Sequence, residues 1–555
     1  MKRHRRHAPL AGAIALITAL GFVFFPGQTW LQQDSQIYAA ILEHLYNPSV
    51  LANDLVATRP HVAFTIYDEL AVAARRLTGL EFYPLLTADQ LLFRACGVLG
   101  VFLIALAAGL PKRLSLLVAG IYALGATVLG PAVLTVEYEP KPRGSAMGML
   151  LLAVGLACHR RYTAAGLLSA LAFLYHPPTT YPVWGVFLLW ALWGGAKDDE
   201  PRSRWKAMLW LPAAALLLVF AHFQAGGGGG GSWFSRLSPA LERLQRLRSP
   251  YTWVSMWIGR WIWLYLTLLA ATGLGLWRLR AAVPRRVRFL LGGLSLIGAL
   301  SIPLTWLLYE TVKWSLVARF QPARAVLWVV LVTILVSAVA SLHAALRGRR
   351  IEAWAWGAFA FVLPAQPDVW SLLLPDLGSP LVRRRLAMVL VLGLLLALAG
   401  WLAGRAKAWQ WAAWAAALVL PFLALPYFGK VTTERNMHEA ELDELAAWAR
   451  RSTPLDAVFL FPDAGKGRQP GIFRVKALRA VYVDWKSGGQ VNMVENFAQE
   501  WWRRYEATML RPLTEESLDR FAQLGIDYAV VRAENAFPNR TAVFRNSRYA
   551  VYRLR

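Results

Sequence analysis

Asp34 is the side chain from which chemistry can be argued first. It lies in Leu31-Gln-Gln-Asp34-Ser35-Gln36-Ile37-Tyr38, just past the first apolar run and at the head of a long half-polar stretch. A carboxylate a few residues outside a membrane span stands where a lipid-borne head group meets water, and there it can take the proton of an attacking hydroxyl. Aspartate is also a favoured N-cap. The residues after it carry helical apolar spacing at Ile37, Ala40, Ile41 and Leu45, so one residue can serve both ends. Tyr38 follows one turn later on the same helical face.

The other candidates are scattered along the chain, each with a plainer role beside the chemical one. Glu137-Tyr-Glu139-Pro-Lys141-Pro-Arg143 offers two carboxylates in an acid-x-acid pattern. Glu137 and Glu139 could hold a divalent cation, Mg or Mn, through oxygen, or pair with Lys141 and Arg143 as a solvated loop. Asp54 follows Asn53 and reads as a substrate contact or as a turn residue. His176, before Pro177-Pro178, is an acceptor-side contact or the end of a helix. Lys313, Arg319 and Arg324 could meet a phosphate or snorkel to lipid head groups. Asp484-Trp485-Lys486 and Trp501-Trp502-Arg503-Arg504-Tyr505 could stack on sugar rings or fill a core.

The elements that must position these residues are set by composition. Of 555 residues 57% are hydrophobic, 26 are Trp, and the mean hydropathy is +0.40, which marks a polytopic α-helical membrane protein. A hydrocarbon core needs about 20 apolar residues per helix, and such windows recur from Leu10 to Tyr427, giving an expectation of about 13 transmembrane helices. Residues 1–429 form the membrane body, with a large first outer loop over residues 27–89 carrying two helices along the membrane surface. Residues 430–555 contain no such window and alternate helices with strands at Ala457–Phe461, Ala480–Val483, Tyr528–Val531 and Tyr549–Tyr552, which predicts a soluble C-terminal α/β domain with its own core. A helix is expected over Glu434–Arg451, and others around Val491–Met509 and Glu515–Leu524.

The formal charge of +26 would suggest nucleic acid in a soluble protein. Here the cations cluster in short loops such as Pro111-Lys-Arg113, His159-Arg-Arg161, Arg278–Arg288 and Arg347–Arg350, the positive-inside pattern, so no nucleic acid partner is expected. Cys96 and Cys158 lie in or beside apolar runs and read as small buried hydrophobes. The basic cap before Ala8 and the absence of a small-residue cleavage site predict an uncleaved first helix with a cytoplasmic N-terminus. Gly226–Gly231 predicts a mobile loop. Alternation puts Arg236, Arg243, Arg246 and Arg248 outside, against the usual bias, and an anionic ligand would account for that. Trp354–Leu374 is one helix or is broken at Pro364 and Pro367; the simplest count places Arg383–Arg385 and the C-terminal domain outside, and a hairpin at the prolines would place that domain inside. A bacterial inner membrane suits the pattern.

One helix, a large outer loop opening on Asp34 and Tyr38, and a second short acidic loop at Glu137-Tyr138-Glu139 together resemble the GT-C superfamily of integral membrane glycosyltransferases. Protein O-mannosyltransferases and lipid A aminoarabinose transferases of that superfamily carry an Asp-Glu pair in the first outer loop with a Tyr shortly after; here Ser35 replaces the second acid. Glu137-x-Glu139 is similar to the acid-x-acid of the oligosaccharyltransferase branch. The resemblance covers the first half of the membrane body and the general plan of helices plus an outer domain. It implies inverting transfer of a sugar from a polyprenyl-phosphate donor to a lipid, glycan or protein acceptor, with Asp34 as base, Lys313, Arg319 and Arg324 toward the phosphate, and membrane lipids as surroundings. Two other classes stay open: a transporter or lipid flippase, which would need charges within the spans and a repeat between halves, and a non-catalytic scaffold whose C-terminal domain recruits a partner.

Overall fold

The computed structural model describes residues 8–58, 65–194, 201–224, 235–403, 407–428, 438–492 and 495–555. The glycine run at 226–231, Arg59-Pro60 and Val62, and the beginnings of the expected helix at Glu434 and of the basic loop at Lys197 lie outside those residues.

Helices dominate the first three quarters of the chain. Among the described residues five are long and apolar enough to cross a bilayer: Phe82–Ala107, Arg285–Thr311, Ser315–Leu346, Pro380–Leu402 and Trp409–Tyr427. Three shorter apolar helices accompany them, Pro9–Val23, Pro142–Cys158 and Tyr162–Tyr175. Other expected spans correspond to shorter or more polar helices such as Lys112–Ala123 and Pro177–Trp193. The stretch from Trp354 is broken, as Pro364 and Pro367 allow: one helix ends at Ala365 and a single turn follows at Trp370–Leu373.

The first six helices set the geometry of the site: α1 (Ala8–Val23), α2 (Ser35–Tyr46), α3 (Tyr67–Thr78), α4 (Phe82–Ala107), α5 (Lys112–Ala123) and α6 (Pro142–Cys158). The crossing of α4 and α6 is built on small residues. A side chain at Gly148 would collide with the Phe93 carbonyl, and one at Gly100 with the backbone of Leu151. Apolar helices in lipid gain little from hydrophobic burial against each other, so this backbone-to-backbone approach is what fixes their register. It holds the loop before α6 against α4, whose Gln90 and Arg94 donate to the Glu137 carbonyl. Between α5 and α6 that loop forms a small antiparallel hairpin, β1 (Thr127–Val128) with β2 (Val133–Leu134), and then turns through Glu137–Lys141.

The C-terminal part is a five-stranded mixed sheet, β3 (Val458–Leu460), β4 (Ala480–Val481), β5 (Tyr528–Arg532), β6 (Phe544–Arg545) and β7 (Tyr549–Arg553), in the order β4-β3-β5-β7-β6. β3 runs parallel to β4 and β5, with Val458 opposite Ala480 and Phe459 opposite Tyr528. β7 is antiparallel to β5 and β6, with Ala529 opposite Tyr552 and Phe544 opposite Val551. The four longer helices around it are Ala440–Ser452, Gln469–Ala477, Glu495–Met509 and Glu515–Gln523. The four expected strands appear at the expected places. Helix Gln469–Ala477 and the short strand β6 were not foreseen, because Pro470-Gly471 argues against a helix and two residues carry no alternation.

Two expectations change here. The sheet's core is not made by residues 430–555 alone. Ile37, Ile41, Leu55 and Trp253 join Leu460, Val531 and Trp501 in one apolar cluster, and Leu31, Ala39 and Leu42 join Phe459, Val530 and Val551 in another. Accordingly α2 does not lie open along a membrane surface. Ser35, Gln36, Ile37 and every residue from Ala39 to Leu42 are buried. On one side Gln36 packs against Gly471, where any side chain would overlap its amide.

The basic loops meet at the end of the helices away from this assembly. Arg286 donates to the Cys158 carbonyl, a ring nitrogen of His343 lies 2.9 Å from the Ala108 carbonyl oxygen, and Arg278 pairs with Glu352.

Candidate functional site

The turn carrying Asp34 is held by its neighbours. Leu31 adopts a left-handed backbone, φ 58°. Its N–H donates to the Ser35 hydroxyl at 2.9 Å and its carbonyl accepts from the Gln36 amide at 2.6 Å. The second loop then locks on: Thr29 N–H donates to the Tyr138 carbonyl at 2.9 Å, and both Gln33 N–H and the Ser35 hydroxyl donate to Glu139 Oε1, at 2.6 and 2.7 Å. Ser35 therefore stands where the resemblance led one to look for a second acid, and it binds an acid brought from 104 residues away.

Asp34 occupies the N-cap position of α2 but makes no side-chain capping bond, so the capping role falls away. Its carboxylate meets Lys486 at 2.7 Å and Lys141 at 3.6 Å. Lys141 also reaches Glu139 at 3.1 Å and Glu137 at 3.4 Å, and Arg143 donates to Glu137 at 2.6 Å. From behind, Arg94 and Gln90 of α4 donate to the Glu137 carbonyl, and Arg94 also donates to the Gly27 carbonyl. The floor is sealed: the side chains of Lys141, Glu137 and Glu139 are 6%, 2% and 0% exposed, whereas that of Asp34 is 36% exposed.

Three further groups lie within electrostatic reach of the carboxylate. Tyr38, Arg324 and Arg248 each interact electrostatically with Asp34. Arg324 lies over the Tyr251 ring, and its Nε is buried with no hydrogen-bond partner. Arg248 donates to the carbonyls of Trp485 and Lys486.

Enclosure by protein acts to raise the Asp34 carboxyl. The ammonium groups of Lys486 and Lys141 and the Arg143 guanidinium outweigh it and hold the group well below the usual carboxylate range. Burial likewise acts against a charged Lys141, but Glu137, Glu139 and Asp34 push its pKa up. Burial, with Asp34 adding to it, pushes the Tyr38 phenol up. In formal charge Lys141, Arg143, Arg248, Arg324 and Lys486 outnumber Asp34, Glu137 and Glu139 by two. An anion fits that surplus.

A divalent cation does not fit. Glu137 and Glu139 turn their oxygens to Lys141, Arg143 and Ser35, and a metal between them would lie within the field of two cations. Among the described residues no group of three His, Cys, Asp or Glu gathers as metal ligands.

The structure thus brings Asp34, Tyr38, Glu137, Glu139, Arg143 and Arg324 together and leaves four other candidates elsewhere. Asp54 is fully buried: its Oδ1 accepts the Val56 and Ala57 N–H groups, an Asx turn, and its Oδ2 accepts Arg474 and the Val481 N–H. A cavity of about 520 Å³ is lined by Asp54 itself with Asn53, Thr58, Glu500 and Arg504, and does not include Asp34. His176 sits between two helices, at the end of Tyr162–Tyr175 and the start of Pro177–Trp193, against Thr179. Lys313 pairs with Glu242 at 2.6 Å. Arg319, in Ser315–Phe320, forms no ion pair among the described residues. Of the aromatic residues, Trp501 and Tyr505 are core, as packing alone would have them.

Lys486, named with Asp484 and Trp485 as a stretch that could stack on sugar rings, was not expected beside Asp34, and Lys141 was read only as a partner for the acids. Lys486 carried no local signal, because 452 residues separate it from Asp34. For Arg248 the signal was its place in a basic stretch on the outer side.

Comparison with known proteins adds the following. A family described as "Domain of unknown function (DUF6798)" matches residues 440–508. No curated protein matches. Among solved structures, ArnT from Cupriavidus metallidurans in the apo state is similar over 99% of this chain and 98% of its own, at 16% identity and a TM-score of 0.48. The Archaeoglobus fulgidus oligosaccharyltransferase in the apo form is similar over 95% of this chain and 70% of its own, at 13% identity and a TM-score of 0.43. The mycobacterial arabinofuranosyltransferase AftD is similar over 95% of this chain and 36% of its own, at 16% identity and a TM-score of 0.40.

Proposed function

We propose that this protein is a GT-C-like membrane glycosyltransferase that moves a sugar from a polyprenyl-phosphate donor to a hydroxyl acceptor. One observation carries the reading: a part-exposed carboxylate, Asp34, stands on a sealed floor with an excess of cations, assembled from loops more than a hundred residues apart. A plain surface ion pair needs no such sealed floor.

In the proposed reaction the acceptor oxygen attacks the anomeric carbon from the face opposite the phosphate. The new C–O bond forms as the bond to the phosphate oxygen breaks, with inversion. Asp34 takes the acceptor's proton, and the electron pair of the broken bond stays on the phosphate. Arg324, with a buried Nε in want of an acceptor, and Arg143 stabilise the charge that develops there. Glu137 and Glu139 do not react; they orient Lys141 and Arg143 and fix the Asp34 turn. The acceptor class, whether lipid, glycan or protein, would be set by the rim of this cluster.

The test is Asp34→Asn in the full chain, reconstituted in liposomes with a panel of polyprenyl-phosphate hexoses and pentoses. Transfer should fall by roughly 10²- to 10⁴-fold, the worth of a general base, with the helical content unchanged. Full transfer by this variant would overturn the assignment.

A further inference from the structure

The C-terminal unit contributes Lys486 to the floor of the cluster, and the contacts made by the two lysines there differ. Lys141 faces three carboxylates, Asp34, Glu137 and Glu139, and is sealed. Lys486 has one carboxylate, Asp34 at 2.7 Å, together with the Gln33 amide oxygen at 3.2 Å, and its side chain is 20% exposed. Its backbone, by contrast, is pinned. Asp484 accepts the Ser487 N–H at 2.8 Å and is paired with Arg474, which also holds Asp54 of the first loop. Arg248 grips the carbonyls of Trp485 and Lys486 from a third segment. A fixed backbone carrying a long, part-exposed ammonium with a single carboxylate partner can swing its charge without moving the turn.

We infer that Lys486 is a counter-ion latch: without donor it neutralises Asp34, and on donor binding it transfers to the phosphate and leaves the carboxylate free to act as base. The inference rests on the function proposed above and adds to it a regulatory role for the C-terminal unit. A carboxylate held between Lys486 and Lys141 is a weak base, because the charges that keep it ionised also oppose its taking a proton. A phosphate anion beside the surplus cations competes for the looser of the two lysines. Around Asp34 the other charged or titratable groups are Lys141, Glu137, Glu139 and Tyr138 of the second loop, Arg143 of α6, Tyr38 of α2, Arg324 before Val326–Leu346, and Arg248. Arg143 is committed to Glu137 and Arg248 to backbone carbonyls. Among the described residues of the C-terminal unit, Lys486 is the one in an ion pair with the carboxylate.

The latch is tested by binding alone, without turnover. Sugar-free polyprenyl phosphate is titrated against the full chain in detergent, comparing wild type, Asp34→Asn, Lys486→Met, the double variant and Lys486→Arg. In Asp34→Asn the lysine no longer has to leave a carboxylate, so binding should tighten roughly tenfold; in Lys486→Met it should weaken by a similar factor. In the double variant the gain from Asp34→Asn should vanish, because the two residues are coupled through one contact. Lys486→Arg should bind within about threefold of wild type, which separates a lost charge from a lost fold. Additive effects, or an Asp34→Asn protein that binds no tighter than wild type, would overturn the latch and leave the proposed reaction standing. Failure of all five proteins to bind the lipid would overturn the donor class and the latch together.

Discussion

At the scale of single residues, Asp34 is distinguished by its partners rather than by its position. An N-cap aspartate would spend its oxygens on backbone N–H groups, whereas this one spends them on two ammonium groups. The consequence is visible in pH dependence. Its pKa is depressed in the folded chain, so the base stays ionised as pH falls through the ordinary aspartate value of about 3.9. The acidic limb of kcat/KM, which reports the free enzyme, should therefore lie below that value and move upward in Lys486→Met. A kcat/KM limb at or above the ordinary value in wild type would contradict the ion pairs. For stability the sign is the same. The pairs contribute above the unfolded pKa, and that contribution is lost as pH falls through the lower folded one.

At the scale of elements, the site depends on a joint between the first loop and the sheet. Asp54 and Asp484 hold Arg474 between them, with all three side chains at 1% exposure or less. Removing one partner of a buried pair leaves an uncompensated charge and typically costs about 3–5 kcal/mol. Arg474→Met should accordingly lower the melting temperature of the detergent-solubilised chain, and so should Asp54→Asn, since an amide oxygen can keep the Val56 and Ala57 N–H groups only with its NH2 set against the Val481 N–H and Arg474. If Asp54 touched substrate instead, Asp54→Asn would raise KM at unchanged melting temperature. The same joint sets the Ser487 turn and so the reach of Lys486.

At the scale of the whole molecule, the C-terminal unit and the first loop behave as one folding body. Ile37, Ile41, Leu55 and Trp253 supply part of the sheet's apolar cover. Expressed alone, residues 438–555 should therefore expose that surface and fail to give the dispersed amide spectrum of a packed domain, while co-expression with residues 1–429 should rescue it. A well-folded isolated fragment would contradict the shared core. For sidedness we propose an outward C-terminal unit: basic loops gather at the end of the helices opposite Asp34, and under the positive-inside bias that end faces the cytoplasm. A membrane-impermeant thiol reagent should label a cysteine introduced at exposed Glu534 in intact cells; labelling only after permeabilisation would reverse the orientation.

Composition and periodicity were enough for the class of molecule and for β3, β4, β5 and β7, because apolar run length and alternation are local properties; Asp34, Tyr38, Glu137, Glu139, Arg143 and Arg324, taken as candidates from charge beside the spans and from the resemblance, are the ones the fold gathers. Ser35 looked like a departure from pattern for the same reason: read locally it lacks an acid, and only the folded chain brings Glu139 to its hydroxyl. Local reading also put Asp54 and Lys313 beside Asp34 as candidates, since a carboxylate or ammonium in a loop looks the same whether it joins the Asp34 cluster or pairs with an Arg474 or a Glu242. Lys486 belongs wholly to the tertiary structure. An ion pair across 452 residues depends on helix crossings set by glycine, on a shared apolar core, and on a turn pinned from three segments, none of which is a property of the residues next to it.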